Sequence, residues 1–139
     1  MIEYFPQLDV IITPYTAKSK VLPKDSLFDA VKKCDVGVFG IKPFASNSLF
    51  RGGSAPGDPH EEEDNRRARL AIRYILCNPA ITAPIPGLIS IAQVDNVAMA
   101  VKERRQLDLA EAVELEKAAD RMMASLPRHY QWLRDWEYV

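Results

Sequence analysis

Hydrophobic positions along this chain follow two rhythms. Three short runs, "DVIIT" (9–13), "VGVFGI" (36–41) and "ITAPI" (81–85), are rich in Val, Ile or Phe and bounded by Pro, Gly or Asp, which predicts strands. The first two are continuously apolar rather than alternating, the pattern of strands covered on both faces of a parallel sheet. Between and behind them the apolar residues recur at helical spacing. "KDSLFDAVKKC" puts Leu27, Phe28 and Val31 on one face, with Asp25 and Ser26 as candidate N-caps. "DNRRARLAIRYILC" opens on Asp64 and Asn65 as caps and lines up Leu70, Ala71, Tyr74 and Ile75, with arginines on the other side. "SIAQVDNVAMAVKER" begins with Ser90 and Gln93 at capping-box spacing and aligns Ile91, Val94, Ala98 and Val101. "DLAEAVELEKAADRMMASL" repeats the device with Asp108 and Glu111, and its Met122 and Met123 read as core filling. A tail, "PRHYQWLRDWEYV", carries Tyr130, Trp132, Trp136 and Tyr138.

The order is β-α-β-α-β-α-α-tail, which implies right-handed βαβ units and a parallel sheet. Residues 1–107 hold the βα units, and residues 108–139 form a helix and aromatic tail expected to pack on the same domain. "NSLFRGGSAPGDPHEEED" interrupts the pattern as a long, mobile βα loop after the second strand. A three-stranded parallel sheet leaves two edges and part of its apolar faces uncovered, so the chain is expected to pair with something or to belong to a larger sheet.

Composition narrows the function. A length of 139 residues, 47% hydrophobic and 27% charged, fits one folded domain. A net charge of −1 offers no electrostatic case for nucleic acid or an anionic membrane surface. No apolar run is long enough to span a bilayer, and the N-terminus lacks the layout of a signal peptide. Cys34 and Cys77 stand apart without metal-ligand spacing and are expected to be buried thiols in a reducing cytoplasm.

In parallel α/β folds, ligands gather at the C-terminal ends of the strands. The third strand ends in Pro84-Ile85-Pro86; Gly87 then frees the backbone and Ser90 caps the next helix. Amides of Gly87 through Gln93 would converge there with the helix dipole behind them, a geometry suited to phosphate but also common wherever helices follow strands. At the second strand end, Lys42 could meet a phosphate as a point charge or simply face solvent. Tyr15 with Lys18 and Lys20, His60, and His129 beside Tyr130 are the other titratable groups near strand ends, in the long loop or in the tail. A solvated strand exit accounts for the first set, and docking of the tail aromatics for His129.

Taken together, "KPFASNSLFRG", "ARLAIRYILCNPAITAPIPG" and "QVDN" resemble the C-terminal part of an aldo-keto reductase, from Asp9 to about Arg105. The tail "HYQWLRDWEYV" is similar to the ends of bacterial members of that family. The resemblance implies an α/β fold, part of a (β/α)8 TIM barrel in which these strands are the sixth, seventh and eighth, and NADP(H)-dependent carbonyl reduction by the parent protein. It implies that the loop containing Lys42, Pro43, Ala45 and Ser48 passes along the cofactor's pyrophosphate. Pro86, Gly87, Leu88, Ser90 and Gln93 would meet the adenosine phosphate end, with Asn96 near the adenine. Three departures stand out: Ile12 where the family has a glutamine for the nicotinamide carboxamide, Ile41 where an aromatic stacks on the ring, and Gly87 where a basic residue meets the 2′-phosphate. The family's catalytic tetrad lies on the first four strands and has no counterpart here, so the chain is expected to have no catalytic residue and to be inactive alone, a cytoplasmic fragment or one half of a split barrel. The alternative is a non-catalytic half-barrel module that binds a second copy of itself or a partner chain.

Overall fold

The computed structural model describes residues 2–52, 57–103 and 105–137. Strands β1 (Val10–Pro14), β2 (Gly37–Ile41) and β3 (Ala83–Ile85) alternate with helices α1 (Leu27–Lys33), α2 (Glu61–Leu76), α3 (Ile91–Lys102), α4 (Leu109–Ala124) and the short α5 (Trp132–Asp135). The tail aromatic Tyr138 and the centre of the long loop, residues 53–56, lie outside the described residues.

The strands form one parallel sheet in the order β1-β2-β3, with Ile12 opposite Phe39 and Phe39 opposite Ala83. Sequential strand order is the winding of a barrel rather than of a doubly wound sheet, in which the order reverses. The packing agrees. Val38, Phe28 and Val31 of α1 and Ile75 of α2 share one buried cluster with Tyr15 and Ile81. A second cluster joins α2 to α3, α4 and the tail through Leu70, Ile72, Ala100, Leu115, Ala119, Met122 and Leu133. Met122 is therefore core, as its spacing predicts.

The covered face is as expected; the opposite face is not. Val38 is fully buried, whereas Ile12 is 62% exposed, and Val10 and Ile85 on the same face are also open. Continuous apolar runs predict burial on both sides, but all the helices of a barrel lie outside the sheet, and its inner face is buried only by strands across the barrel.

Pro84 is accommodated because β3 is an edge strand, with β2 on one side only. Where β3 begins, the Thr82 amide donates to Val38 O (2.9 Å) and Thr82 Oγ1 accepts from the Val38 amide (3.0 Å), so a side chain extends the ladder.

Several helix details differ from the periodicity. Ser26, not Asp25, caps α1, in a capping box with Asp29. Helix α2 starts at Glu61 after His60, ahead of the expected caps Asp64 and Asn65. Asp64 instead accepts the amides of Arg51 (2.8 Å) and Gly52 (2.7 Å), pinning the loop to the first turn of α2. Not all the arginines of α2 face outward, since Arg67 and Arg73 are buried. They are held by carboxylates, Arg67 by Glu63 and Asp64 and Arg73 by Glu103 and Glu111. In α3 the apolar stripe faces out, with Ile91 80% and Val101 61% exposed, while Ala100 is buried. Asn96 turns that face toward α2, where its amide accepts from Arg69 and donates to Asn65 O. Cys34 and Cys77 follow the ends of α1 and α2 and are exposed rather than buried.

Candidate functional site

At the C-terminal end of β3 the chain turns through Gly87, whose φ of +72° favours glycine and where an added Cβ would meet nothing within 4 Å. The turn leads into α3 and opens a cavity of about 140 Å³. A cavity of roughly that size can hold a benzene ring. Its apolar walls include Phe44, Phe50, Ala68, Leu88 and Val97, with the two phenyl rings 4.9 Å apart. Pro86, Gly87, Leu88, Ser90, Gln93 and Asn96, all singled out from the sequence, line this one cavity.

The amides at the α3 N-terminus are partly committed. Ser90 Oγ accepts the Gln93 amide (3.2 Å), and Gln93 Oε1 accepts the Ile89 amide (2.9 Å). Gln93 thus reaches one residue beyond the expected capping box. The first-turn amides of Ile91 and Ala92 have no acceptor within the helix and point along the positive end of its dipole. Asn96 lines the wall, but Arg69 Nη1 (2.6 Å) and Asn65 O (3.0 Å) occupy its amide, making it a brace between α2 and α3.

The residues predicted at the second strand end do not line this cavity. Pro43 and Ala45 are buried in the turn after β2, and Ser48 is half-buried. Lys42 adopts a φ of +60° and donates to the Tyr130 hydroxyl (3.1 Å), its ammonium 4.6 Å from the centre of that ring. Hydrogen bonds from Ser46 and Lys42, with the lysine charge, hold the Tyr130 phenol below its usual range. The tail thus engages the lysine that a phosphate would use.

Three carboxylates also line the cavity: Asp58 and Glu61, not singled out from the sequence, and Asp64, expected there only as a helix cap. They belong to "DPHEEED", the end of the long loop and the start of α2. Its acidity was legible in the sequence; its position over the α3 N-terminus depends on the loop folding back. No lysine, arginine, histidine or tyrosine lines the cavity among the described residues.

Other candidate groups have structural roles. Tyr15 is buried edge-on to Phe28 (5.5 Å), and its hydroxyl accepts from Asn78 (3.0 Å). Burial raises the Tyr15 phenol pKa. The Lys18 ammonium pairs with Asp120 of α4 (2.7 Å), while the backbone of Lys20 pairs with that of Glu137 in an isolated parallel β-bridge. His60 precedes α2 with Nδ1 3.7 Å from Glu63, and His129 packs on Tyr130 (4.4 Å). No group of His, Cys, Asp and Glu suited to a metal occurs among the described residues.

A single-layer succession of parallel βα units with a cavity beyond the strand ends places the fold among (β/α) barrels. Comparison with solved structures narrows this. The chain is similar to the aldo-keto reductase AKR11C1 from Bacillus halodurans, in its apo form at a TM-score of 0.57 and in its holo form at 0.58, with 20% identity in both. These matches cover 94% of the present chain and 50% and 49% of the reductase, so the chain spans about half the length of the structures it resembles. No protein-family model and no curated protein matches it. Among the described residues, no helix is long and apolar enough to cross a membrane.

Proposed function

We propose that this chain is the cofactor-holding part of an aldo-keto-reductase-like oxidoreductase, whose cavity at the α3 N-terminus receives the adenosine phosphate end of a nicotinamide dinucleotide. One observation carries this reading: Pro86, Gly87, Leu88, Ser90, Gln93 and Asn96 converge on one cavity with apolar walls and helix amides at its rim. Flat apolar walls suit an adenine ring, and first-turn amides suit phosphate oxygens. When bound, such a cofactor supplies a hydride for reduction of a carbonyl. The proton must come from a side chain within hydrogen-bond reach of that carbonyl, at the nicotinamide end rather than in this cavity, and the residues to which the resemblance assigns that role have no counterpart in this chain. The chain alone therefore binds without turning over, in keeping with a cytoplasmic oxidoreductase portion that depends on further β/α units. Calorimetric titration with NADH and NADPH tests this: saturable binding without carbonyl reduction is expected, and no heat of binding with either at millimolar concentration sinks it.

A second reading concerns the open surface. The accessible area of 8718 Å² exceeds the roughly 7,300 Å² that a compact monomer of 15.7 kDa presents. The excess, about 1,400 Å², is the share each partner contributes to a large, obligate interface. Val10, Ile12 and Ile85 on the inner sheet face, and Ile91, Val94 and Val101 on α3, provide apolar surface for it. As a half-barrel module, the chain would cover these residues with a second copy or with a partner chain supplying more parallel strands. Light scattering after size-exclusion chromatography tests self-association, for which a mass of two copies is expected and a monomer at high concentration counts against it.

A further inference from the structure

We propose that two copies of this chain associate through α3, which pairs antiparallel with the same helix of the second copy; this rests on the self-association reading above and names its face and register. Ile91, Val94, Ala98 and Val101 recur at spacings of three, four and three, the seam of a two-stranded coiled coil. Ile91 (80%), Val94 (51%) and Val101 (61%) stand largely in solvent, and Ala98 is exposed with them. The helix does not need this seam to hold its place. Its other side carries the Asn96 amide bonded to α2, the buried Ala100, and Val97 packed on the larger core cluster. At about 100° per residue, Asp95 and Lys102 fall together on the flank of the seam away from α2.

Symmetry and charge identify the occupant. A two-fold axis at the middle of α3 sets Ile91 against Val101 of the second copy and Val94 against its Ala98, where the small side chain lets the helices approach. In that register Asp95 of each copy meets Lys102 of the other, so the axis generates two opposite-charge pairs. Neither residue makes an ion pair among the described residues, which leaves both charges available. A parallel pair would instead set Asp95 against Ser90 and Lys102 against Val97, neutral neighbours for both. The surface excess of about 1,400 Å² is more than the roughly 800 Å² per partner of a standard stable interface, so a helix pair and its surroundings fit within it.

The test is light scattering and sedimentation equilibrium of the full chain over a range of concentrations, with circular dichroism to check folding. A mass of two copies is expected at high concentration. Lys102→Glu turns two attractive pairs into two repulsive ones and should weaken dimerisation about tenfold at low ionic strength, and less in high salt. Asp95→Lys/Lys102→Glu restores both pairs with the signs exchanged and should return the dissociation constant to within about threefold of the parent. The cost of an acidic group at the C-terminal end of α3 is common to both variants, so recovery reports the intermolecular pairs. Val94→Asp should weaken the dimer at least about a hundredfold with the dichroism unchanged, because that side chain is half in solvent. Ile12→Asp, on the inner sheet face, should change it by less than about threefold. A dimer indifferent to Val94→Asp and Lys102→Glu, or one lost in Ile12→Asp, overturns pairing through α3 and leaves self-association standing. A double variant as weak as Lys102→Glu alone overturns the antiparallel register. A mass of one copy at every concentration removes self-association and this inference with it.

Discussion

Arg73 shows how much a single residue can carry in a small α/β unit. Its guanidinium is almost wholly buried and reaches Glu111 (3.0 and 2.9 Å), Glu103 (3.3 Å) and Gln106 O (2.8 Å), tying α2 to the connection between α3 and α4. Removing one partner of a buried pair strands the other charge, so Arg73→Ala should cost about 3–5 kcal/mol in urea unfolding. An Arg73→Met/Glu111→Gln double variant should recover part of that loss. Tyr15 makes a pH-dependent contribution. Burial holds its phenol above the usual 10.0, against the weaker opposing effect of the Asn78 hydrogen bond, and burial does the same for Tyr74. The folded state therefore keeps these protons at pH values where the unfolded chain has lost them. The associated stability is fully present below a pH of about 10 and is lost as pH rises through the raised values. Tyr15→Phe should lower stability near neutrality by about 0.5–1.5 kcal/mol through the lost hydrogen bond. It should also flatten the alkaline decline, which urea titrations on either side of pH 10 would read.

Among the elements, the helix starts were the most legible and the exposed faces the least. Ser26 with Asp29 and Asp108 with Glu111 form capping boxes, which depend only on residues within one turn. Ser26→Ala should destabilise the protein by about 0.5–2 kcal/mol, measurable as a lower urea midpoint with an unchanged slope. An unchanged midpoint would mean that α1 is held by Phe28 and Val31 alone. Helix α3 illustrates the limit of periodicity. Its apolar stripe was plain in the sequence, yet the face that packs on α2 is the one bearing Asn96 and Ala100, since a small residue and a satisfied amide allow close approach. The same holds for α2, where spacing alone put the arginines outside but Glu103 and Glu111 from distant segments neutralise Arg73 within the core. The candidate site divides likewise: the residues flanking β3 could be read from one contiguous stretch, whereas Asp58 and Glu61 reach the cavity only because the long loop returns to it.

For the molecule as a whole, the open inner face is the dominant feature. Ile12 sits at the middle of β1 with its side chain largely in solvent, so replacing it should not disturb the packed side of the sheet. Ile12→Asp is expected to change the stability of the isolated chain by no more than about 0.5 kcal/mol. If two copies associate through this face, the same variant should reduce the mass seen by light scattering from two copies to one, with the circular dichroism spectrum unchanged. A large loss of monomer stability instead would mean that the inner face is packed within one chain.

The sequence by itself determined the order of strands and helices, the parallel sheet, the caps and the turn from β3 into α3, because each follows from interactions among neighbouring residues. It also carried enough of the strand-end motifs to indicate a barrel. Only the tertiary structure decided which apolar face is covered, how the arginines of α2 are buried, and that, among the described residues, the charged side chains of the cavity are carboxylates. Those outcomes depend on which distant segments meet, and burial and electrostatic environment belong to the meeting rather than to either segment.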